Sequence, residues 1–252
     1  MKMAKRILAL VLVAMLVFAF AGCGNKEKSL TVTEGKLTMA TNASFPPYEF
    51  YDGDKIVGID AEVAEEIAKK LDLELEIADI DFDSIVPGVQ SDKYDMGMAG
   101  MTVTPEREKK VNFSTTYAKG VQVVIVKDGS DIKTLDDLDG KMIGVQQGTT
   151  GDIYASGDYG EENVTKYATG NLAVEGLKSD KVDCVIIDNE PAKAYVAENE
   201  GLKILDTEYA NEDYAICFSK NNPELQEKVD AALKELIEDG TLQKIVDKYI
   251  KK

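Results

Sequence analysis

The sequence predicts an α/β protein in two lobes, and three observations carry that prediction. Segments of strand and helix character alternate from residue 37 to the C-terminus, the pattern of helices packed on mainly parallel sheets. A second set of such segments begins at residue 135, so two similar α/β units share the chain. Polar residues recur directly after strand-like runs, at Asn42, at Gly100 and Thr102, at Gln146 to Thr150 and at Asp188. Open α/β folds hold ligands beyond the carboxyl ends of strands, at a switch point or between domains.

Residues 37–41 read as the first strand. Asp60 stands as the cap of a helix running to about residue 71, with Val63, Ala64, Ile67, Ala68 and Leu71 on one apolar face. Residues 73–77 form a strand, 84–90 a short helix and 96–101 another strand. The apolar run 121–126, interrupted at Gln122 alone, has the character of a buried strand. In the second set, 142–145, 164–167 and 182–187 read as strands. Helices open at residue 149 and cover 172–178 and 192–197. Runs 202–205 and 214–218 follow as strands. A helix from Pro223 to Glu238 stops at Gly240, and a last helix reaches Tyr249.

The N-terminus reads as a secretory signal. Lys2, Lys5 and Arg6 precede an apolar run from Ile7 to Phe20, too short and wrongly flanked for a stable membrane span. It ends in Phe20-Ala21-Gly22-Cys23, which resembles a lipoprotein signal with Cys23 as the lipidated residue, although Phe20 stands where leucine is usual. The alternative is an ordinary signal peptide cut near Ala21. A diacylated Cys23 tethers a protein to a membrane surface without a transmembrane helix. The polar stretch 24–35 reads as a flexible tether.

Composition excludes several function classes. The chain of 252 residues carries a net charge of −17, and loss of the signal removes three more positive charges. So acidic a protein is a poor ligand for nucleic acid or for an anionic membrane face. Histidine is absent, which removes the commonest general acid–base and the commonest metal ligand. Cys184 and Cys217 lie in strand-like runs and read as small buried hydrophobes; a disulfide between them stays open.

The stretch Gly100-Met101-Thr102-Val103-Thr104-Pro105-Glu106-Arg107 is the most suggestive of a site. Thr104 caps a helix start and Pro105 takes the first helical position, where its missing N–H costs nothing. Backbone N–H groups, the helix dipole and Arg107 then converge on a place for a small carboxylate, and the guanidinium fork can take both oxygens. The bland alternative is a capped surface helix with a solvated arginine.

Further motifs occur in a characteristic order: residues 40–48 (Ala-Thr-Asn-Ala-Ser-Phe-Pro-Pro-Tyr), Val57-Gly58-Ile59-Asp60, Asp81-Phe82-Asp83, Asn112-Phe113-Ser114, Gln147-Gly148-Thr149-Thr150, Asp188 and Asp239-Gly240. Together they resemble the polar amino acid branch, family 3, of the extracellular solute-binding lipoproteins of ABC importers. The resemblance spans almost all of the chain beyond the signal. It implies a two-lobed periplasmic-binding-protein fold of type II, with a hinge and a discontinuous first lobe. The implied division is a signal peptide over 1–22, a tether over 23–35, lobe 1 over 36–118 plus 211–252, and lobe 2 over 119–210. The crossings lie near Ala118 and Asn211.

The resemblance also implies roles. Arg107 would clamp an α-carboxylate with Thr102 and, from the other lobe, Thr150. Asp188 and the Gly100 carbonyl would accept from the α-ammonium. Phe45 and Phe82 would wall the ligand side chain, and Asn42 and Gln146 would reach it. Asn42 stands where relatives often carry aspartate, and a neutral amide suits glutamine; two rings equally suit a guanidinium, which keeps arginine open. A polar L-amino acid would be captured between closing lobes and delivered to an ABC permease and ATPase complex. No cofactor, metal or covalent chemistry is required, and the expected protein is a monomer on the outer face of a bacterial cell membrane or in the periplasm. Two alternatives remain: a dehydratase-type enzyme on the same fold, and a sensor that presents its ligand to a receptor.

Overall fold

A computed structural model describes residues 29–250. The signal segment, Cys23 and the tether up to residue 28 lie outside the described residues. The tether's last residues do not hang free. The Val32 N–H donates to Asp95 Oδ1 at 2.7 Å, and Asn222 Nδ2 donates to the Leu30 carbonyl at 2.8 Å. Polar composition had suggested mobility from residue 24 to 35, but two side chains distant in sequence anchor 30–35 on the first lobe.

The first sheet has the order β5-β1-β6-β14-β7, from β1 (Lys36–Thr41), β5 (Glu74–Asp79), β6 (Met96–Gly97), β7 (Val111–Phe113) and β14 (Cys217–Ser219). β5, β1 and β6 run parallel, whereas β14 is antiparallel to both its neighbours. The second sheet, β10-β9-β11-β8-β12, contains β8 (Ala118–Lys127), β9 (Ile143–Gln146), β10 (Val164–Tyr167), β11 (Cys184–Asp188) and β12 (Leu202–Ile204), with β13 (Ala210–Tyr214) also on β8. Only β10, β9 and β11 are mutually parallel. The sheets are therefore mixed, because strands that return the chain between lobes must enter from the opposite end.

A small antiparallel sheet, β2 (Ser44–Phe45), β3 (Glu49–Asp52) and β4 (Lys55–Val57), forms where no strand was expected. Its β3–β4 turn is the two-residue Gly53-Asp54, with Gly53 at φ +61°. The expected strand 96–101 is shorter, because the chain leaves the sheet after Gly97 to build the site loop. The expected strand 214–218 is two strands, broken at residues 215–216.

Both sheets are covered on two faces, as alternation along their strands shows. In β8, Val123 and Ile125 pack with α5 (Gly170–Lys178) and α6 (Asn189–Glu198), while Val124 and Val126 pack on the opposite side with α4 (Thr150–Tyr159). In lobe 1, α1 (Ile59–Lys70), α7 (Pro223–Glu238) and α8 (Thr241–Tyr249) cover one face and α2 (Phe82–Gln90) the other. Gly58, not Asp60, is the N-cap of α1. Asp60 lies in the first turn with no exposed surface, and its carboxylate turns inward. Cys184 and Cys217 are free, buried and in different sheets. Burial pushes each thiol up to about 12.

Two strands link the lobes. β8 and β13 pair antiparallel from Ala118↔Tyr214 to Gln122↔Ala210, with β7 before this ribbon and β14 after it. β1 and β6 end facing β9 and β11 across a cleft, so the carboxyl ends of the two parallel sets meet.

Candidate ligand cleft between the lobes

A narrow space of about 10 Å³ lies in that cleft, lined by Asn42, Phe45, Glu49, Phe82, Ala99, Gly100, Thr102, Arg107, Gln146, Thr149, Thr150 and Asp188. All nine residues that sequence reasoning singled out for binding line this one space. Three others were missed: Glu49, Ala99 and Thr149.

Arg107 is on α3 (Pro105–Glu108), a single turn capped by Thr104, whose Oγ1 accepts the Arg107 N–H at 3.2 Å. It is the only buried lysine or arginine among the described residues. Its Nη1 donates to the Thr102 carbonyl at 2.7 Å and its Nη2 to the Gly148 carbonyl at 3.1 Å, and Phe82 lies 5.3 Å beneath the guanidinium. Two neutral carbonyls and one ring face hold this cation; among the described residues no carboxylate is within ion-pair reach. Burial lowers its pKa. A buried cation without a counter-ion is costly, and an anionic ligand group would remove that cost.

The Gly148 turn is held by Asp152, whose Oδ2 accepts the Gly148 N–H at 2.9 Å while Oδ1 meets Lys166 at 3.0 Å. Thr149 caps α4 and accepts the Asp152 N–H, so Thr150, which is buried, is the first helical residue and lines the cleft. Gly148 is at φ +77°, and a Cβ there would sit 2.7 Å from Cβ of Asp83 in the other lobe. Gly100 has φ +52°, and a Cβ there would come within 2.7 Å of Phe45. The Gly100 N–H donates to Asp60 Oδ2 at 2.9 Å.

Asp188 occupies the N-cap position of α6, yet its side chain makes no cap bond. It points instead to the cleft, where the Tyr214 hydroxyl donates to it. Burial, and Glu212 behind it, raise its carboxyl well above the ordinary range. Gln122 Nε2 donates to Glu212 Oε2 at 3.0 Å, but Glu212 Oε1 has no partner.

At the other side, Phe45 pairs across β2–β3 with Glu49. Glu49 has no exposed surface, and neither carboxyl oxygen meets a donor. Burial and neighbouring Asp60 push its pKa far up. The Asp52-Gly53-Asp54 turn signal marks the hairpin that carries Glu49, and reading it would have placed this residue opposite Phe45.

Asn42 and Gln146 meet each other directly. Gln146 Nε2 donates to Asn42 Oδ1 at 2.9 Å, and Asn42 Nδ2 donates to the Ile80 carbonyl at 2.9 Å. This amide pair joins the lobes, as do Gln147 Nε2 to Asp83 Oδ2 and Tyr195 to the Ser44 carbonyl, each at 2.5 Å. The cleft is thus closed. Among the described residues no group of three or more Cys, Asp and Glu side chains is arranged to hold a metal, and no helix is long and apolar enough to cross a membrane.

Comparison with known proteins agrees with this geometry. The arginine-binding extracellular protein ArtP of Bacillus subtilis is 36% identical, over 97% of this chain and 98% of that protein. An ancestral arginine-binding protein solved with glutamine matches with a TM-score of 0.83 at 42% identity, covering 87% of this chain and all of the other. The ancestral protein solved with arginine matches with a TM-score of 0.81 at 44% identity, over 86% and 99%. The model of the bacterial extracellular solute-binding proteins, family 3, matches residues 37–252, and the chain belongs to that family.

Proposed function

We propose that this protein captures an L-α-amino acid with a cationic side chain, arginine foremost, and delivers it to the membrane subunits of an ABC importer. The observation that carries the ligand class is the cleft's charge pattern: one buried cation, Arg107, and two buried carboxyls, Asp188 and Glu49, face a single small space. An arginine zwitterion offers the complement, one carboxylate and two cationic groups. The α-carboxylate meets Arg107, Thr102 and Thr150. The α-ammonium meets Asp188 and the Gly100 carbonyl. The guanidinium lies between Phe45 and Phe82, with Glu49 near its end and Asn42 and Gln146 beside it. Relatives named for arginine binding and a neighbour solved with arginine support this reading.

Glutamine is the second ligand. The Asn42–Gln146 amide pair offers donors and acceptors without charge, and a neighbour was solved with glutamine. Capture without turnover is favoured because every polar group of the cleft has a place in holding the head group or the side-chain end, and because the relatives are binding proteins. We take lobe 1 as 36–118 plus 211–252 and lobe 2 as 119–210, closing about the β8–β13 ribbon, with Cys23 lipidated after removal of residues 1–22 and the protein acting as a monomer.

Thermal shifts of the chain downstream of Cys23 against the L-amino acids test this reading. Ligand at 100 times its Kd adds about 2.7 kcal/mol, a rise of about 5–10 °C for a protein of this size. Arginine should give the largest rise. Conversion of a prephenate-type substrate, with no shift for any amino acid, would sink the proposal in favour of a dehydratase.

A further inference from the structure

Glu49 is not alone in its burial. Asp60, on α1, also has no exposed surface, and its N–H donates at 2.9 Å to the carbonyl of Tyr48, the residue before Glu49. The two carboxyls have unequal support. Asp60 Oδ2 accepts the Gly100 N–H at 2.9 Å and the Tyr117 hydroxyl at 2.7 Å, while Asp60 Oδ1 and both Glu49 oxygens meet no donor. Two carboxyl oxygens can hydrogen-bond to each other only through a proton. The other groups facing Glu49 are Tyr48 ahead of β3, Tyr117 ahead of β8, Asp79 at the end of β5, Asp188 at the end of β11 and Tyr195 on α6. None is a cation, and Arg107 directs its guanidinium to Thr102 and Gly148.

We infer that Glu49 and Asp60 hold one proton between them, and that a cationic side chain displaces this proton whereas a neutral amide leaves it in place. The arginine-to-glutamine affinity ratio therefore rises with pH. This rests on the cleft being an amino acid site, as proposed above. The proton belongs on Glu49, donated towards Asp60, because the carboxylate with two other donors is the one that stays charged. The directions agree: burial raises both carboxyls, Asp60 to about 6, and Asp60 alone is held down by Gly100 and Tyr117. When a guanidinium arrives, the Glu49 O–H bond breaks, the proton leaves to solvent, and the carboxylate faces the cation. When glutamine arrives, the neutral carboxyl keeps its proton towards Asp60 and accepts from the amide NH₂. Asp60 is a positioning residue here, since it sets the proton on Glu49 without touching the ligand.

Both ligands present the same α-ammonium to Asp188, so any proton displaced there cancels in the difference between them. The test is isothermal titration calorimetry of the chain downstream of Cys23 with arginine and with glutamine, in buffers of different ionisation enthalpy near neutral pH. Arginine should release about one proton more than glutamine, and the affinity ratio should rise by up to about tenfold per pH unit in the acidic range. Glu49→Gln should abolish the difference. Asp60→Asn should keep arginine binding but shrink the proton release, because Glu49 then ionises more readily. Equal proton counts for the two ligands in the unmutated protein, which need no variant to measure, overturn the inference. So does a difference that survives Glu49→Gln. Binding of glutamine alone overturns it while leaving amino acid capture intact; binding of neither removes the site reading itself.

Discussion

Asp188 and Glu49 are buried carboxyls facing the same cleft, one from each lobe, each with a second acid behind it, and they differ in their hydrogen-bond donors. Asp188 receives the Tyr214 hydroxyl, from the strand that links the lobes. Glu49 receives nothing from a donor and has another acid, Asp60, at its back. A carboxyl that already holds one good hydrogen bond is oriented before the ligand comes. A carboxyl with none depends on the ligand, or on a proton, for its partner. The α-ammonium is common to every amino acid, and the pre-oriented group faces it in our reading. The side-chain end varies, and the unsatisfied group faces that.

The largest effect should come from removing the buried cation that shares the cleft with both acids. Arg107→Ala should cost any amino acid ligand about 2–5 kcal/mol, at least 30-fold in Kd, by calorimetry. Asp188→Asn should come next, weakening arginine and glutamine alike by about 1.5–3 kcal/mol, since a charged hydrogen bond is lost for both. Glu49→Gln should separate the ligands. Arginine should lose about tenfold or more, while glutamine changes by less than about threefold. Equal losses would show that Glu49 serves the fold and not the side chain.

Ligand-free stability should sharpen the same contrast through pH. Asp60 is raised to about 6 in the folded chain against about 4 when unfolded. The folded state thus binds more protons across that window, and the stability present below it is lost as pH rises through 6. Glu49 and Asp188, also raised by burial, contribute in the same direction. Urea unfolding should therefore show a fall of about 1–3 kcal/mol between pH 5 and 8. Saturating arginine should offset most of it. The smallest effect should come from Asp83→Ala, which removes the exposed bond from Gln147. A change in affinity of less than about 1 kcal/mol is expected, because that pair touches solvent on both sides.

Much of this protein was legible without coordinates. The apolar run of residues 121–126 marks a buried strand, 182–187 reads as a strand, and Pro223 and Gly240 bracket a helix, because local periodicity and backbone preference act on neighbours in sequence. The residues after strands converge on one cleft because parallel strands deliver their carboxyl ends to one edge. What sequence reasoning misassigned were groups whose state depends on distant partners. Asp60 sits where a cap is expected, yet it accepts from Gly100 and Tyr117, which are 40 and 57 residues away. Residues 30–35 read as tether until Asp95 and Asn222 hold them.

The sequence by itself thus determined the fold class, the family and nine of the residues that line the cleft, since each rests on local pattern or on spacing along the chain. Only the tertiary structure decided that Glu49 is buried without a donor, that Asp60 stands behind it, and that Arg107 has no counter-ion inside the protein. Burial and the company of other charges are properties of packed neighbours, and they set the cost of an ionised group.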